Sequence, residues 1–248
     1  MFVRIKEGVV QVVSRIVLAL DCTGETYSCG ALVEGESLTT VCGLNPRQAL
    51  REIPLQVAHL LKNTGGTYRD VVAVGVTKGP GSFTGVRLGV TLAKTICFAA
   101  ECQIAAFDTL EILARGQAQA FQHEPGFVGV ALDARRSEVY SALVSFLSDD
   151  GIATQVCSPA EFALQLKKCT KLRALVGQGF SAYPELVPEN FAGPILSDRN
   201  QCVVPVDVLC RLTDEAFLNK SLLDSEVVAP EYHRRADIQV SVKAEASL

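Results

Sequence analysis

The sequence predicts an α/β protein of two lobes, each a mixed sheet with helices. Three observations carry that expectation. A glycine-punctuated stretch, Lys78 to Lys94, joins an apolar run to an amphipathic helix. Each half of the chain opens on a strand hairpin whose first strand ends in an aspartate, Asp21 and Asp133. Their offset is about half the chain, which is the period of a lobe and not of a short solenoid repeat.

Residues 1–14 read as a short extension with the character of an edge strand. Arg15–Leu20 is an apolar run suited to a strand buried on both faces. Asp21–Thr26 turns the chain, Tyr27–Val33 returns it, and Glu34-Gly35 turns it again. A helix is expected from Pro46, a favoured first helical residue, to Lys62. It places Leu50, Ile53, Val57, Leu60 and Leu61 on one side, with a kink at Pro54. Val71–Val76 is a second buried strand, broken by Gly79, Pro80 and Gly81, after which Ser82 or Thr84 can cap a helix. That helix directs Val86, Val90, Ala93, Cys97 and Ala100 to the core. Gly85, Gly89, Ala93 and Cys97, four apart, form a row bare enough for another backbone to approach. Interior glycines weaken a helix by about 1 kcal/mol each relative to alanine, so close packing within the chain or against a partner must offset them. A strand at Gln103–Phe107 and a helix at Thr109–Gln119, capped by Asp108, complete the first half as β-β-α-β-α-β-α.

The second half repeats the opening. Gly126–Leu132 leads to Asp133, Ala134-Arg135-Arg136 turn, and Glu138–Phe146 returns. A tight turn at 149–151 precedes a strand at Ile152–Val156, a helix at Pro159–Lys168, a strand at Lys171–Gly177 and the pair Gly177-x-Gly179. The expected units are an extension at 1–14, lobes at 15–120 and 121–235, and a loose tail at 236–248. The last helix, 206–220, would pack back on the first lobe. Doubled hairpins of this kind suggest the architecture shared by actin, sugar kinases and Hsp70. In that architecture a nucleotide lies between the lobes with the hairpin turns at its phosphates. Asp21, Thr23 and Asp133 are therefore candidates for nucleotide or Mg²⁺ contact. The ordinary alternative is that each aspartate caps its own turn.

Composition narrows the chemistry. With 248 residues, 48% hydrophobic and 20% charged, the chain can bury a large core. A net charge of −4 lacks the basic footprint of a protein that holds nucleic acid unaided. Nine cysteines, an odd number without Cys-x-x-Cys, point to a reducing cytoplasm. Arg15 and Glu7 spoil the N-terminus as a signal peptide, and no apolar run reaches the roughly 20 residues that span a bilayer. The histidines, His59, His123 and His233, are far apart, so no zinc or iron site is expected. No Gly-x-Ser-x-Gly elbow surrounds Ser82. The Gly79–Gly85 stretch could offer backbone N–H groups to an anion, yet no Lys-Ser/Thr follows it and its third glycine falls one residue late for a dinucleotide fingerprint. Asp108 could stand in for the ribose-binding acid of such a module, but the doubled hairpins argue against that reading. Arg87 is expected to be a surface or ion-paired residue, or else to brace the Gly79–Gly81 turn through its carbonyls.

Three stretches resemble a known family. Leu18-Ala-Leu-Asp-Cys-Thr23, Gly79-Pro-Gly-Ser-Phe-Thr-Gly-Val-Arg-Leu-Gly89 and Asp133-Ala-Arg-Arg-Ser-Glu-Val-Tyr140 look like the TsaB (YeaZ) family, with further similarity at Gly177-x-Gly179 and Pro230-Glu-Tyr-His-Arg234. The resemblance spans roughly residues 15–235 and implies a two-lobed actin-like fold. It also implies a non-catalytic subunit of the bacterial machinery that makes threonylcarbamoyladenosine in tRNA. Such a subunit pairs with a TsaD-like paralogue that carries the metal and the transferase activity, and a TsaE-like ATPase joins them. In the family the helices after the first hairpin and after the glycine turn build the dimer interface. On that basis Gly85, Val86, Gly89, Val90, Ala93, Leu50, Ile53 and Val57 are expected to face the partner. The resemblance also implies a cytoplasmic protein with no cofactor of its own and tRNA reached only through the complex. ATP or ADP with Mg²⁺ would sit at an interface of the assembly, and the isolated chain could pair with itself. The family's Ser/Thr-rich first turn is here interrupted by Cys22, and Arg47-Gln48-Ala49 stands where a histidine is common.

Overall fold

A computed structural model of the chain describes residues 2–6, 9–13, 15–43, 48–118, 121, 125–145, 152–198 and 203–233. The expected helix start at Pro46, the turn at 149–151 and the tail at 236–248 lie outside them.

The apolar run after Arg15 forms β3 (Ile16–Asp21) and pairs antiparallel with β4 (Tyr27–Val33), which pairs in turn with β5 (Ser37–Gly43). On its other side β3 runs parallel to β6 (Val71–Thr77), which is parallel to β7 (Gln103–Phe107). The sheet order is thus β5-β4-β3-β6-β7. The second sheet repeats it as β10-β9-β8-β11-β12, built from β8 (Phe127–Arg135), β9 (Glu138–Ser145), β10 (Gln155–Cys157), β11 (Leu172–Val176) and β12 (Ile195–Leu196). The duplication expected from Asp21 and Asp133 is therefore a repeat of topology. The first five residues described, β1 (Phe2–Lys6), pair with β2 (Val9–Val13) as a separate two-stranded sheet. The extension forms a hairpin of its own and is not an edge strand of either lobe.

β3 explains the layering. Ile16, Leu18 and Leu20 point to one side and Val17 and Ala19 to the other, and all are fully buried. The first side is covered by α1 (Ala49–Asn63) and α2 (Phe83–Ala100). The second is covered by α6 (Val206–Leu218), which lies across β3, β4 and β6. Next to α6 lies α3 (Thr109–Ala118), which packs on β8, β9 and β11. The outer side of the second sheet carries α4 (Pro159–Lys168) and the short α5 (Gly179–Ala182). The chain thus stacks helices, sheet, helices, sheet and helices, which is the two-lobed actin-like arrangement. Ser82 caps α2, accepting from the Gly85 amide at 3.3 Å, and Ser158 with Glu161 forms a capping box on α4.

Candidate functional site and partner-facing surface

The glycine turn is held by its own chain. An added Cβ at Gly81 would lie 2.4 Å from the Thr23 carbonyl oxygen, and one at Gly85 would lie 1.9 Å from that of Cys22. Gly79 has φ +119 and faces the Glu231 carbonyl at 2.7 Å by the same construction. The Ser82 amide donates to the Thr23 carbonyl at 2.8 Å. The turn is therefore packed on the end of β3, and its bare faces meet backbone. The space beside Gly79, Gly81 and Gly85 is taken by backbone carbonyls of this chain, where the cradle considered from sequence would seat an anion.

Asp21 and Thr23, read as nucleotide contacts, are 1% and 4% exposed. All three hydrogen bonds to Asp21 end on Oδ1: the Thr77 hydroxyl at 2.5 Å, the Thr23 hydroxyl at 2.7 Å and the Thr23 amide at 3.2 Å. Burial pushes the Asp21 carboxyl above its usual value of 3.8, and the three donors partly offset this. Asp133, in the other lobe, accepts from the Arg135 amide at 2.8 Å, from the Arg135 guanidinium at 3.2 Å and from the Tyr183 hydroxyl at 3.3 Å. Each aspartate accepts from its own turn and from one residue far along the chain, Thr77 for Asp21 and Tyr183 for Asp133, and the two share no partner. Both thus anchor their turns, the ordinary alternative to a cleft role, since a carboxylate at a strand end readily finds donors within two residues.

The folded chain keeps the Asp21 proton to higher pH than the unfolded chain does. Stability from this group is full below the unfolded value and falls as pH rises from about 4 through the raised folded value. Asp21→Asn keeps the Oδ1 acceptor and never ionises. The variant is expected to gain stability over the parent as pH rises through that window, as checked by denaturant titrations at a series of pH values.

Between the lobes lies a polar cavity of about 410 Å³ lined by Lys78, Asp108, Glu111, Thr154, Glu231 and His233. Asp108 caps α3, with Oδ1 accepting from the Leu110 amide at 2.7 Å and the Glu111 amide at 3.3 Å. Its Oδ2 accepts from the Thr154 hydroxyl at 2.7 Å, so a residue of the second lobe takes the oxygen a ribose would need. Burial raises the Asp108 carboxyl and Thr154 opposes that. Lys78 and Glu231 pair at 2.7 Å, which holds the Glu231 carboxyl below its usual range. Sequence reading missed Lys78, Thr154, Glu231 and His233 as a group. The glycine stretch contained Lys78 and the Pro230-Glu-Tyr-His-Arg234 motif contained Glu231 and His233, but nothing joined them to each other or to Thr154. Arg87 does not brace the turn's carbonyls; it donates to the Tyr232 hydroxyl at 2.6 Å and lies 3.9 Å above the Phe83 ring. No group of three or more His, Cys, Asp or Glu that could hold a metal occurs among the described residues.

Seven of the eight expected partner-facing residues are covered by this chain. Gly85, Val86, Gly89, Val90 and Ala93 are buried in α2, and Ile53 and Val57 in α1. A stripe of period 3.6 faces whatever apolar surface is nearest, here the chain's own sheet, and the glycine row admits the Cys22 backbone. Leu50 alone is exposed, at 63%. The outward faces carry other residues: Leu50 and Leu55 on α1, and Thr84, Leu88, Thr91, Thr95 and Phe98 on α2. Phe98 is 86% exposed. Single exposed apolar residues are ordinary, but these occur on two helices covering one side of one sheet.

Fold and site together define a two-lobed actin-like protein whose conspicuous acids accept hydrogen bonds from their own chain. A family model described as "TsaD: tRNA N6-adenosine threonylcarbamoyltransferase" matches residues 34–230. The chain is 31% identical to the tRNA threonylcarbamoyladenosine biosynthesis protein TsaB of Haemophilus influenzae, over 88% of this chain and 92% of that protein. It is 28% identical to the TsaB of Bacillus subtilis, over 90% and 96%. The solved structure "YeaZ from Pseudomonas aeruginosa" superposes with a TM-score of 0.72 at 25% identity, covering 88% of this chain and 99% of that one. The chain belongs to the TsaB (YeaZ) family.

Proposed function

We propose that the chain serves tRNA threonylcarbamoyladenosine formation as a cytoplasmic, non-catalytic subunit that pairs with and activates a TsaD-like transferase. The observation that carries this reading is the contrast between two surfaces. Asp21, Asp108 and Asp133 each accept hydrogen bonds within the chain. The outer faces of α1 and α2, in contrast, hold exposed Leu50, Leu55 and Phe98. The first is poor equipment for phosphoryl transfer, which argues against an ATPase built on Asp21 and Asp133; the second suits a protein partner. In this reading a TsaE-like ATPase joins the pair, and ATP or ADP with Mg²⁺ belongs to an interface of the assembly. The same helical face lets isolated chains pair with each other, and tRNA is engaged through the complex.

Reconstitution tests it. Omitting this chain is expected to collapse threonylcarbamoylation of tRNA by the paralogue; undiminished modification without it overturns the reading. Phe98→Asp is expected to weaken pairing with the paralogue at least about 30-fold, the range of an interface hot spot. Because the side chain is so exposed, the melting temperature should hardly move. Isothermal titration and thermal melts on the same protein check both.

A further inference from the structure

The segment after α6 does not end at the second lobe. It crosses the free edge of the first sheet, where Leu223 exchanges two backbone hydrogen bonds with Ile104 of β7, at 3.0 and 2.8 Å. It then runs back along α2. The Lys94 ammonium donates to the Glu226 carbonyl at 3.3 Å and the Val228 carbonyl at 2.9 Å, and Val228 is buried in the core beneath α1 and α2. Its last described residues reach the glycine turn. The Glu231 amide donates to the Lys78 carbonyl at 2.8 Å, and the two side chains pair at 2.7 Å. Tyr232 takes the Arg87 bond and packs against Phe83, ring centroids 5.1 Å apart. The carbonyl of Glu231 is what leaves no room for a side chain at Gly79.

We propose that residues 222–233 are a strap that locks the glycine turn and the first turns of α2. Arg87 and Tyr232 are then positioning residues for the outer face of that helix. The physical need comes from α2 itself, since Gly85 and Gly89 deprive its first two turns of side-chain packing and of helix propensity. The turn before it is held at Gly79 by the Thr109 amide and at Ser82 by the Thr23 carbonyl, and residue 231 adds the bond at Lys78. A clamp from outside the helix supplies what the local sequence lacks. It also accounts for two motifs 145 residues apart meeting at one hydrogen bond. The part played by the strap in pairing rests on the function proposed above; the locking itself does not.

Tyr232→Phe removes only the hydroxyl and keeps the ring on Phe83. Hydrogen exchange of the free chain is expected to quicken about tenfold at residues 83–90, with the amides of β3 and β6 unchanged. Affinity for the TsaD-like paralogue should fall by a similar factor. In a second set, Lys78→Glu and Glu231→Lys should each loosen the same amides, and the double variant should restore them, which a general loss of stability would not produce. Unchanged exchange at 83–90 in all three single variants overturns the strap. Faster exchange with undiminished pairing overturns the positioning role. A parent chain that never binds the paralogue refutes the proposed function, while the exchange result still decides the locking.

Discussion

Gly85→Ala is expected to destabilise the chain by about 3 kcal/mol or more, the upper part of the range for overpacking a rigid interior. The added methyl would lie 1.9 Å from the Cys22 carbonyl oxygen and 3.1 Å from its carbon, and neither atom belongs to a side chain that can turn away. Relief requires α2 to move off the end of β3, which would disturb the Thr23–Ser82 hydrogen bond and the Asp21 turn together. For a domain of this size such a loss lowers the melting temperature by about 6–12 °C. One turn along, Gly89→Ala should do the opposite. Its methyl would meet Cys22 Cβ at 3.5 Å, an ordinary contact, and alanine is worth about 1 kcal/mol more than glycine within a helix. Thermal and denaturant unfolding of the two variants side by side checks the pair. Equal effects at both positions would contradict the close approach at Gly85.

The second large effect is expected at the ion pair that ties α6 to the first sheet. Arg15 and Asp214 lie 3.1 Å apart with side chains 10% and 11% exposed, and Arg15 also sits 5.9 Å over the Phe217 ring. Gly35, at φ +77, makes the space: a Cβ there would be 2.9 Å from the guanidinium. Arg15→Leu leaves the Asp214 carboxylate buried without its partner and is expected to cost about 3–5 kcal/mol. The double variant Arg15→Leu, Asp214→Leu should recover most of that, because the penalty lies in stranding one charge and not in losing attraction. A double-mutant cycle on unfolding free energies measures it. A double variant as unstable as the single would show that packing around the guanidinium, and not the stranded acid, dominates.

The central strands of the first lobe were legible in the sequence because Ile16–Leu20 and Val71–Val76 carry no polar side chain, which leaves little choice but a strand buried on both faces. The Pro159–Lys168 helix was legible to the residue because Ser158, Pro159 and Glu161 form an explicit start signal. β5 was missed, although Ser37-Leu-Thr-Thr-Val holds β-favouring threonines and a valine; it pairs with β4 over its whole length. β12 has two residues and no pattern at all. That seven of the eight residues expected to face a partner are buried has its cause in what periodicity leaves out. Periodicity shows that α2 has a bare side but not what lies against it, and the Cys22 carbonyl is distant from Gly85 in the chain. Likewise, nothing local joins Arg87 to Tyr232.

The layer between the sheets has one more consequence. Val17, Ala19 and Ala73 of the first sheet, Val130 and Val176 of the second, and Ile112 and Leu209 from the helices between belong to one apolar cluster. Swinging the halves apart like a bivalve would wet that layer, at roughly 25 cal/mol for every square ångström uncovered. Prising the halves apart is therefore opposed by the loss of that burial, whatever lies on the outer flanks.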